Sequence, residues 1–348
     1  MCLGLGYNKR CLKAPASLNM VSQVLPPRTL SVAPMIDWTD RHCRRFHRAI
    51  SQHTWLYTEM ITTGALVFGD RKRFLAFNDE EHPLAFQIGG SDPEHLAACA
   101  KWIEAAGYDE LNLNVGCPSE RVQKGAFGAC LMAEPDLVAD CVKAMRDACS
   151  IDVTVKHRIG LDYDESEAML YEFVGKVSEA GCQTFIVHAR NAVLKGLSPK
   201  ENRDIPPLRY EVVKRLKQHF PHLQFILNGG IKTIEEIQSH LQWADGCMLG
   251  REAYSNPWLL TGFDEIIGTP APVKTRFEII DELRAYADQE LAKGESIRNI
   301  TKSWLGLFHG QPGGRLYRQV LSDSTLLKAN SWQVVEDALA KMAKHAMV

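Results

Sequence analysis

Residues 110–132, ELNLNVGCPSERVQKGAFGACLM, join a short apolar strand to a Gly-Cys-Pro turn and a glycine-rich loop. In a barrel of alternating strands and helices, the residue just past the carboxyl end of a strand faces the active site. Cys117 lies at this position, and Pro118 stops the strand from continuing. A cysteine without this context is usually a small buried hydrophobe. The position of Cys117 just past the end of a strand instead predicts that its thiol takes part in catalysis.

Two amide side chains precede this cysteine. Asn112 and Asn114 alternate along the strand and therefore point to one face, while the leucines between them point to the other. Two inward amides in a core strand indicate a polar ligand. The small residues of the following loop allow backbone to approach a planar substrate, and they are Gly125, Gly128 and Ala129.

On both sides of this stretch, short apolar segments alternate with longer amphipathic ones. The eight apolar segments are 31–35, 55–59, 84–88, 111–115, 153–157, 184–188, 225–228 and 246–249. The predicted helices between them include 93–106, 135–148, 164–180, 208–219 and 233–242. The first two begin with proline after an acidic residue, as helices often do. Eight repeats of strand and helix over about 240 residues predict an α/β fold, the (β/α)8 TIM barrel.

Composition limits the class of protein and its partners. The chain has 348 residues, of which 45% are hydrophobic and 24% charged, and this is enough for one large domain and a smaller one. With a net charge of −2, any nucleic-acid site must be a local patch. The ten cysteines include no CxxC pair and no regular Cys/His spacing, which argues against zinc and disulfides and fits a reducing cytoplasm.

The ends of the chain follow other rules. No apolar run approaches the roughly 18 residues needed to span a bilayer, so we expect no membrane segment. Residues 1–28 contain basic residues but no continuous apolar core, so we expect a disordered or non-native lead rather than a signal peptide. Met20 is a candidate for the true first residue.

Polar residues and glycines follow the predicted strands, where function collects in a barrel. They are Gln87 after the third strand, Asn114 and Cys117 after the fourth, Lys156 and Arg158 after the fifth, His188 after the sixth, Asn228, Gly229 and Gly230 after the seventh, and Gly250 and Arg251 after the eighth. Taken singly, His188 fits a satisfied core histidine, and Lys156 fits the Schiff-base lysine of an aldolase. The set as a whole is more specific.

Together these residues supply what a flavin mononucleotide (FMN) needs. The glycine turns after the seventh and eighth strands would hold its phosphate. Gln87 would bond the edge of the ring, and Lys156 near N1 and O2 would stabilise the anionic reduced flavin. At the end of the first strand, a flat apolar floor with free backbone groups is offered by Ala33, Pro34 and Met35.

The pattern changes after residue 268. Residues 268–272, GTPAP, form a linker by composition, and helices are predicted at 276–292, 297–307 and 332–345 without a strand between them. We therefore expect a barrel domain at 29–268 and an all-helical domain at 269–348. The helical part is mildly basic and the rest of the chain is acidic. Arg315 and Arg318 would share one face of a helix that begins at Gly314, although an ordinary solvated face explains their spacing too.

Further basic residues lie on the predicted barrel rim. Lys195, Lys200 and Arg203 fall in the long loop after the sixth strand. A basic rim that faces a basic helix could hold a phosphodiester backbone. A second cluster has helical spacing and could equally be a solvated helix flank, and its members are Arg41, Arg44, Arg45 and Arg48.

Five segments taken in order carry a resemblance to a known family. They are APMIDWTDRHCR, LNLNVGCPSERVQKGAFGACLM, VKHRIG, VHARNA and LNGGI. The chain resembles the tRNA-dihydrouridine synthases, specifically the bacterial A subfamily, from about Val32 to Met342. The resemblance implies an FMN enzyme that uses NADPH to reduce the C5–C6 double bond of uridines at positions 20 and 20a of the tRNA D-loop.

The resemblance also assigns roles to residues, and none of these positions departs from the family pattern. Cys117 matches the general acid, and Asn114 matches a position that meets the target base. Contacts with tRNA fall on Lys200, Arg203, Arg315 and Arg318. Contacts with FMN fall on Pro34, Met35, Gln87, Lys156, His188, Asn228, Gly229, Gly230, Gly250 and Arg251.

Three alternatives remain at this point. A dihydroorotate dehydrogenase shares the barrel, the flavin and pyrimidine chemistry, but a small free acid has no use for a basic helical region. A phosphate-binding aldolase would use Lys156 covalently and would bind no flavin. A tRNA-binding chaperone with a vestigial site would not depend on Cys117 at all.

Overall fold

The structure, a computed structural model, describes residues 28–268, 272 and 274–346. Apart from Arg28, the predicted lead lies outside these residues, and so does most of the predicted linker. Within the described residues, no helix has the length and apolar character needed to cross a bilayer.

Nine strands form one parallel sheet that closes on itself. They are β1 (Leu30–Val32), β2 (Leu56–Tyr57), β3 (Ile61–Thr62), β4 (Leu84–Gly89), β5 (Glu110–Val115), β6 (Asp152–Arg158), β7 (Thr184–His188), β8 (Gln224–Asn228) and β9 (Gly246–Leu249). The strand order is β1-β9-β8-β7-β6-β5-β4-β2. Trp55 joins β1 to β2, because its carbonyl accepts from Val32 N–H and its N–H donates to the Leu30 carbonyl, each at 3.0 Å. The predicted (β/α)8 barrel is confirmed.

The second position of the barrel is built from two short strands instead of the single predicted strand at 55–59. Both β2 and β3 pair with β4, with Leu56 opposite Leu84 and Ile61 opposite Ile88. Ile61 lies five residues after Leu56, but Ile88 lies only four residues after Leu84. The extra residue forms a bulge between β2 and β3. The apolar pattern of the sequence carries no register, so it cannot reveal this extra residue.

Helices follow the strands on the outside of the barrel. They are α1 (Arg41–Ile50), α2 (Thr63–Phe68), α3 (Arg71–Phe74), α4 (Pro93–Ala105), α5 (Glu120–Lys124), α6 (Pro135–Ala148), α7 (Ala168–Glu179), α8 (Tyr210–His219), α9 (Ile234–His240), α10 (Arg251–Ser255) and α11 (Thr261–Ile267). Asp92 caps α4 by accepting the N–H of His95 at 2.8 Å. The predicted helix at 164–180 begins later, at Ala168, because Asp164 first turns back to bond Leu161.

The C-terminal part is helical in the described residues, as the sequence predicts. It contains α12 (Arg276–Ala292), α13 (Ile297–Thr301), α14 (Gly314–Ser322) and α15 (Gln333–Ala346). The predicted helix at 297–307 ends at Thr301 and gives way to a 3-10 turn at Trp304–Gly306. A Cβ at Gly306 would lie 2.2 Å from the Ser255 carbonyl oxygen, so this turn brings backbone against the end of α10.

Helix α1 packs the barrel against the C-terminal helices. Phe46 on α1 lies 5.9 Å from Trp304, measured between ring centroids. The buried apolar residues of the barrel exterior and of the C-terminal helices belong to one continuous cluster. Two ion pairs add to this contact, Arg41 with Glu290 at 2.5 Å and Lys302 with Asp40 at 2.7 Å.

This packing overturns the interpretation of the arginines on α1 as a solvated or RNA-facing flank. Arg44 is 4% exposed and pairs with Glu81 at 2.5 Å, and Arg48 donates to the carbonyls of Thr54 and Glu81. Arg45 is also buried and reaches Glu282 of α12 at 3.4 Å. The partners are distant in sequence, so helical spacing alone could not show that these charges are covered.

Side chains from alternate strand positions fill the barrel interior. One part is apolar and is lined by Ala33, Tyr57, Ala85, Ile186, Ile226 and Met248. The part contributed by β4, β5 and β6 is polar, and its buried members include Gln87, Glu110, Asn112 and Thr154. The polar part leads directly to the carboxyl end of β5.

Candidate active site

The backbone of Cys117 is held from two sides at the carboxyl end of β5. The Asn114 side-chain oxygen accepts the N–H groups of Gly116 at 3.1 Å and of Cys117 at 3.0 Å. Ala129 N–H donates to the Cys117 carbonyl at 2.9 Å. Gly128 has φ +80°, and a Cβ there would lie 2.7 Å from the same carbonyl oxygen, so the loop requires glycine at this position. The Cys117 backbone is therefore fixed at the barrel mouth, and its thiol is half-buried there.

Burial raises the pKa of the Cys117 thiol above its ordinary value. A backbone hydrogen bond at Ser119 opposes this shift, and so do the positive charges of Arg158, Arg203 and Lys156, but the pKa stays raised. A raised pKa keeps the proton on the thiol at neutral pH, and a protonated thiol is a poor nucleophile but can donate a proton.

The two inward amides of β5 have different surroundings. Asn112 is fully buried, donates to Thr154 at 2.8 Å and accepts from Gln87 at 2.8 Å. The expectation that both amides hold a ligand is therefore wrong for Asn112, because this side chain is 0% exposed and lies between Gln87 and Thr154. Asn114 is only half-buried and donates to Gln87 at 2.9 Å.

Three predicted cofactor residues meet across β6, β7 and β8. Lys156 Nζ donates to the Asn228 side-chain oxygen at 3.0 Å. Burial, together with the charge of Arg158, lowers the pKa of Lys156 to about 7. Burial also lowers the pKa of His188, and Arg158 and Lys156 lower it further, so His188 is neutral at pH 7. An anion placed beside Lys156 would favour its charged form.

The turn after β8 is shaped by its glycines. Gly229 and Gly230 have φ values of +114° and +73°. A Cβ at Gly229 would lie 2.6 Å from the His188 ring, and one at Gly230 would lie 2.4 Å from Leu208. Tyr210 fastens this turn by donating to the Gly229 carbonyl at 2.6 Å. Only glycine allows the backbone to pass this close to His188.

The predicted floor of the site adjoins the turn after β9. Pro34 and Met35 follow β1 and are half-buried. A Cβ at Gly250 would lie 3.7 Å from the Met35 sulfur, an ordinary contact distance. Arg251, the first residue of α10, is held by Asp204 at 2.7 Å. The structure thus places both glycine turns and the floor at the carboxyl ends of neighbouring strands.

Positive charge concentrates at this mouth although the whole chain has a net charge of −2. Arg158 is buried, and its guanidinium donates to the carbonyls of Gly116 at 3.2 Å and Asn202 at 3.0 Å. Carbonyl oxygens carry no formal charge, so these hydrogen bonds do not neutralise the charge of the Arg158 guanidinium. Arg190 and Arg203 are close enough to lower the pKa of His188. The mouth is suited to a ligand that carries phosphate.

A family model described as dihydrouridine synthase (Dus) matches residues 31–344. The chain belongs to the dihydrouridine synthase family. It is 56% identical to the tRNA-dihydrouridine(20/20a) synthase of Pseudomonas aeruginosa over 95% of this chain and 97% of that protein. It is 56% identical to the protein of the same name from Vibrio parahaemolyticus over 92% and 98% of the two chains, and 60% identical to that of Pseudomonas syringae pv. tomato over 85% and 88%. This membership does not favour the aldolase, dehydrogenase or chaperone alternatives.

In this member of the dihydrouridine synthase family, the residues predicted to bind tRNA lie in two places. Lys200 and Arg203 are exposed in the loop between β7 and α8, which Asn202 anchors by bonding both backbone groups of Val193. Arg315 and Arg318 are exposed on α14, and their shared face borders a groove lined by Leu305, Gln319 and Ser322. No hydrogen bond or ion pair in the described part of the chain joins the two pairs.

Several residues that shape this site were missed by sequence reasoning. Arg190 follows β7 within the VHARNA segment, so its position after a strand was a usable signal. Glu110, Thr154 and Tyr57 lie deeper in the barrel, where Glu110 accepts a hydrogen bond from each of the other two. Their partners come from other strands, so their roles became visible only in three dimensions.

Proposed function

We propose that this protein is a flavin-dependent tRNA-dihydrouridine synthase that reduces the C5–C6 bond of uridines 20 and 20a in the D-loop, with NADPH as reductant. The names of its relatives support the substrate and the positions. The observation that carries the chemistry is a protonated thiol, Cys117, fixed at the end of β5 beside a cationic barrel mouth.

The residues present fit an FMN site. The close-approach turn at Gly229 and Gly230, with Gly250 and Arg251, would hold the phosphate. Lys156 would face the ring edge as a cation. The remaining proposed contacts with the ring are Pro34, Met35, Gln87, His188 and Asn228. When bound, FMN supplies the hydride, taken from NADPH, that reduces C6 of the base.

Cys117 completes the reduction by giving its proton to C5. Burial keeps this proton on sulfur in the resting protein. Once the proton has left, the charges of Arg158, Arg203 and Lys156 stabilise the thiolate, because each of them lowers the pKa of the thiol. The same surroundings therefore serve both states of the acid.

A uridine cannot reach Cys117 while it is stacked in the tRNA, so it must be extruded into the barrel mouth. We propose that Asn114 meets the extruded base. Lys200, Arg203, Arg315 and Arg318 would bind the RNA backbone and offset the free energy of unstacking. In this proposal, residues 29–268 form the catalytic domain and residues 269–348 the tRNA-binding domain, and the protein acts in the cytoplasm.

The test is to incubate unmodified tRNA with the purified protein and NADPH and to map dihydrouridine by position. We expect product at 20 and 20a from the wild type, and a loss of at least about a hundredfold in rate for Cys117→Ala, because the general acid is gone. Flavin content and tRNA binding should stay normal in that variant.

Cys130→Ala is the matched control, because Cys130 is a half-buried cysteine of the same loop region whose thiol donates to the Phe127 carbonyl. It should retain full rate. Product at the wild-type rate from Cys117→Ala would remove the assignment of the acid. Product elsewhere in the D-loop would keep the chemistry and contradict the positions, and reduction of free pyrimidines alone would favour the dehydrogenase alternative.

A further inference from the structure

A continuous chain of hydrogen bonds runs through the barrel from the amino end of β5 to Cys117. At its lower end, Glu110 accepts from Arg28 Nε at 2.5 Å, from Tyr57 OH at 2.9 Å and from the Thr154 hydroxyl. Above it, the chain passes through Asn112 and Gln87 to Asn114 at distances of 2.8–2.9 Å. We name this chain the amide relay, and its members are Glu110, Thr154, Asn112, Gln87 and Asn114.

The lower end of the relay fixes the direction of every bond in it. An ionised carboxylate only accepts hydrogen bonds, so Thr154 must donate its single proton to Glu110. Thr154 can then only accept from Asn112, which must turn its amide nitrogen down and its oxygen up. Gln87 repeats this arrangement at the next step and offers its own oxygen to Asn114.

The upper end independently requires the same direction. Backbone N–H groups only donate, so Asn114 must turn its oxygen toward Gly116 and Cys117. Its amide nitrogen is then left to donate to Gln87. Both ends agree, and no amide can flip without setting donor against donor or acceptor against acceptor.

Packing does not require this polar chain. The other part of the same barrel interior is filled by apolar side chains such as Ile186, Ile226 and Met248. A buried polar network is an advantage only when every member is satisfied, since a partly satisfied one is worse than an apolar core. The polar chain reaches Cys117 through Asn114, whereas the apolar part of the interior does not include Cys117.

We propose that Glu110 and Thr154 are positioning residues of the active site, which act through the amide relay to fix the Cys117 backbone and the orientation of the Gln87 and Asn114 amides. The part that concerns catalysis rests on the proposed function, in which Cys117 is the acid. The part that concerns the position of Cys117 does not.

The test compares Thr154→Val, which removes the hydroxyl at nearly constant volume, with Thr154→Ser, which keeps it. Thr184→Val is the matched control, because Thr184 is buried on the neighbouring strand and its hydroxyl bonds Gln224 at 3.1 Å outside the relay. The first readout is the alkylation rate of each cysteine in the full-length protein as purified, resolved by mass spectrometry. Cys130 is the internal reference.

We expect Thr154→Val to raise the alkylation rate of Cys117 at least about fivefold, as loss of one internal hydrogen bond would allow, without a change at Cys130. Thr154→Ser and Thr184→Val should alkylate as the wild type does. With tRNA as substrate, Thr154→Val should lower kcat with little change in KM for tRNA, because the proposed contacts with the RNA backbone lie outside the relay, and Thr154→Ser should restore kcat.

Three outcomes would overturn the proposal. Thr154→Val could match Thr184→Val in Cys117 alkylation and kcat, which would leave only a structural role. Thr154→Ser could behave as Thr154→Val, which would show that the hydroxyl is not responsible. If Thr154→Val does not fold, Glu110→Gln replaces it, because the new amide nitrogen would place a donor against either Arg28 or Thr154. An unchanged alkylation rate of Cys117 in Glu110→Gln would also overturn the relay. A wild type inactive on every tRNA removes the proposed function, but the alkylation comparison still decides the relay.

Discussion

At the scale of single residues, burial acts on Cys117 and Lys156 in the same sense and with opposite consequences. It favours the neutral form of each group, so the thiol keeps its proton while the pKa of the amine falls to about 7. Under the proposed function, the acid is therefore ready in the resting protein. An anion beside Lys156 would favour the charged form of its amine.

Lys156→Met should change the pH dependence of stability in protein without added flavin. The unfolded chain holds the lysine proton up to about pH 10.5, but the folded chain holds it only up to about pH 7, so unfolding takes up a proton between these values. The free energy of unfolding of the wild type should rise with pH across this window relative to the variant. Urea titrations at pH 6.5 and pH 9.5 measure the difference, and a difference that does not depend on pH contradicts the shift.

Gly229→Ala should cost stability and flavin. Its positive φ strains any Cβ by about 1–3 kcal/mol, and the new methyl group would also meet the His188 ring at 2.6 Å. Gly196→Ala is the control, since Gly196 has φ +88° and nothing within 4 Å of the added Cβ. Both variants should lose some stability, but only Gly229→Ala should lose bound flavin by absorbance. Equal flavin content in the two would show that the close approach to His188 is unimportant.

At the scale of elements, the sequence predicted what short-range pattern controls. Apolar runs that end in polar residues located the eight barrel positions, and the helix at 276–292 is found with those bounds. The bulge between β2 and β3 was missed because it depends on pairing with β4. The covered face of α1 was missed because Glu81 and Glu282, which cover it, are distant in sequence. In the candidate site, the other residues at strand ends were predicted, but Arg190 after β7 and the deeper Glu110 and Thr154 were not.

The exposed face of α14 should bind RNA backbone. Arg315→Ala with Arg318→Ala should weaken tRNA binding and lower the slope of log K against log salt by on the order of one per lost contact. Reduction of the bound flavin by NADPH should be unaffected. Lys328→Ala with Lys341→Ala removes the same charge from other exposed positions of the helical region and should have a smaller effect. Equal losses in the two double variants would indicate general charge attraction rather than a site on α14.

At the scale of the whole molecule, the shared apolar cluster predicts cooperative unfolding. Trp304 is 1% exposed and contacts Phe46 of the barrel and Trp332 of the helical region. Trp304→Ala should therefore destabilise the entire chain by about 3–5 kcal/mol, and flavin release and loss of helix should still coincide. Phe277→Ala, at a residue 47% exposed on α12, should have little effect. Two separate transitions in the wild type would mean that the helical region unfolds on its own.

The apolar cluster shared by the barrel and the helical region also affects which partner, protein or RNA, changes shape during catalysis. Because Phe46, Trp304 and the Lys302–Asp40 ion pair join the two regions, α14 and Cys117 belong to one packed frame. Under the proposed function, the nucleic acid has to conform to that frame. We therefore expect the tRNA, rather than the protein, to supply the change of shape that presents a uridine to Cys117.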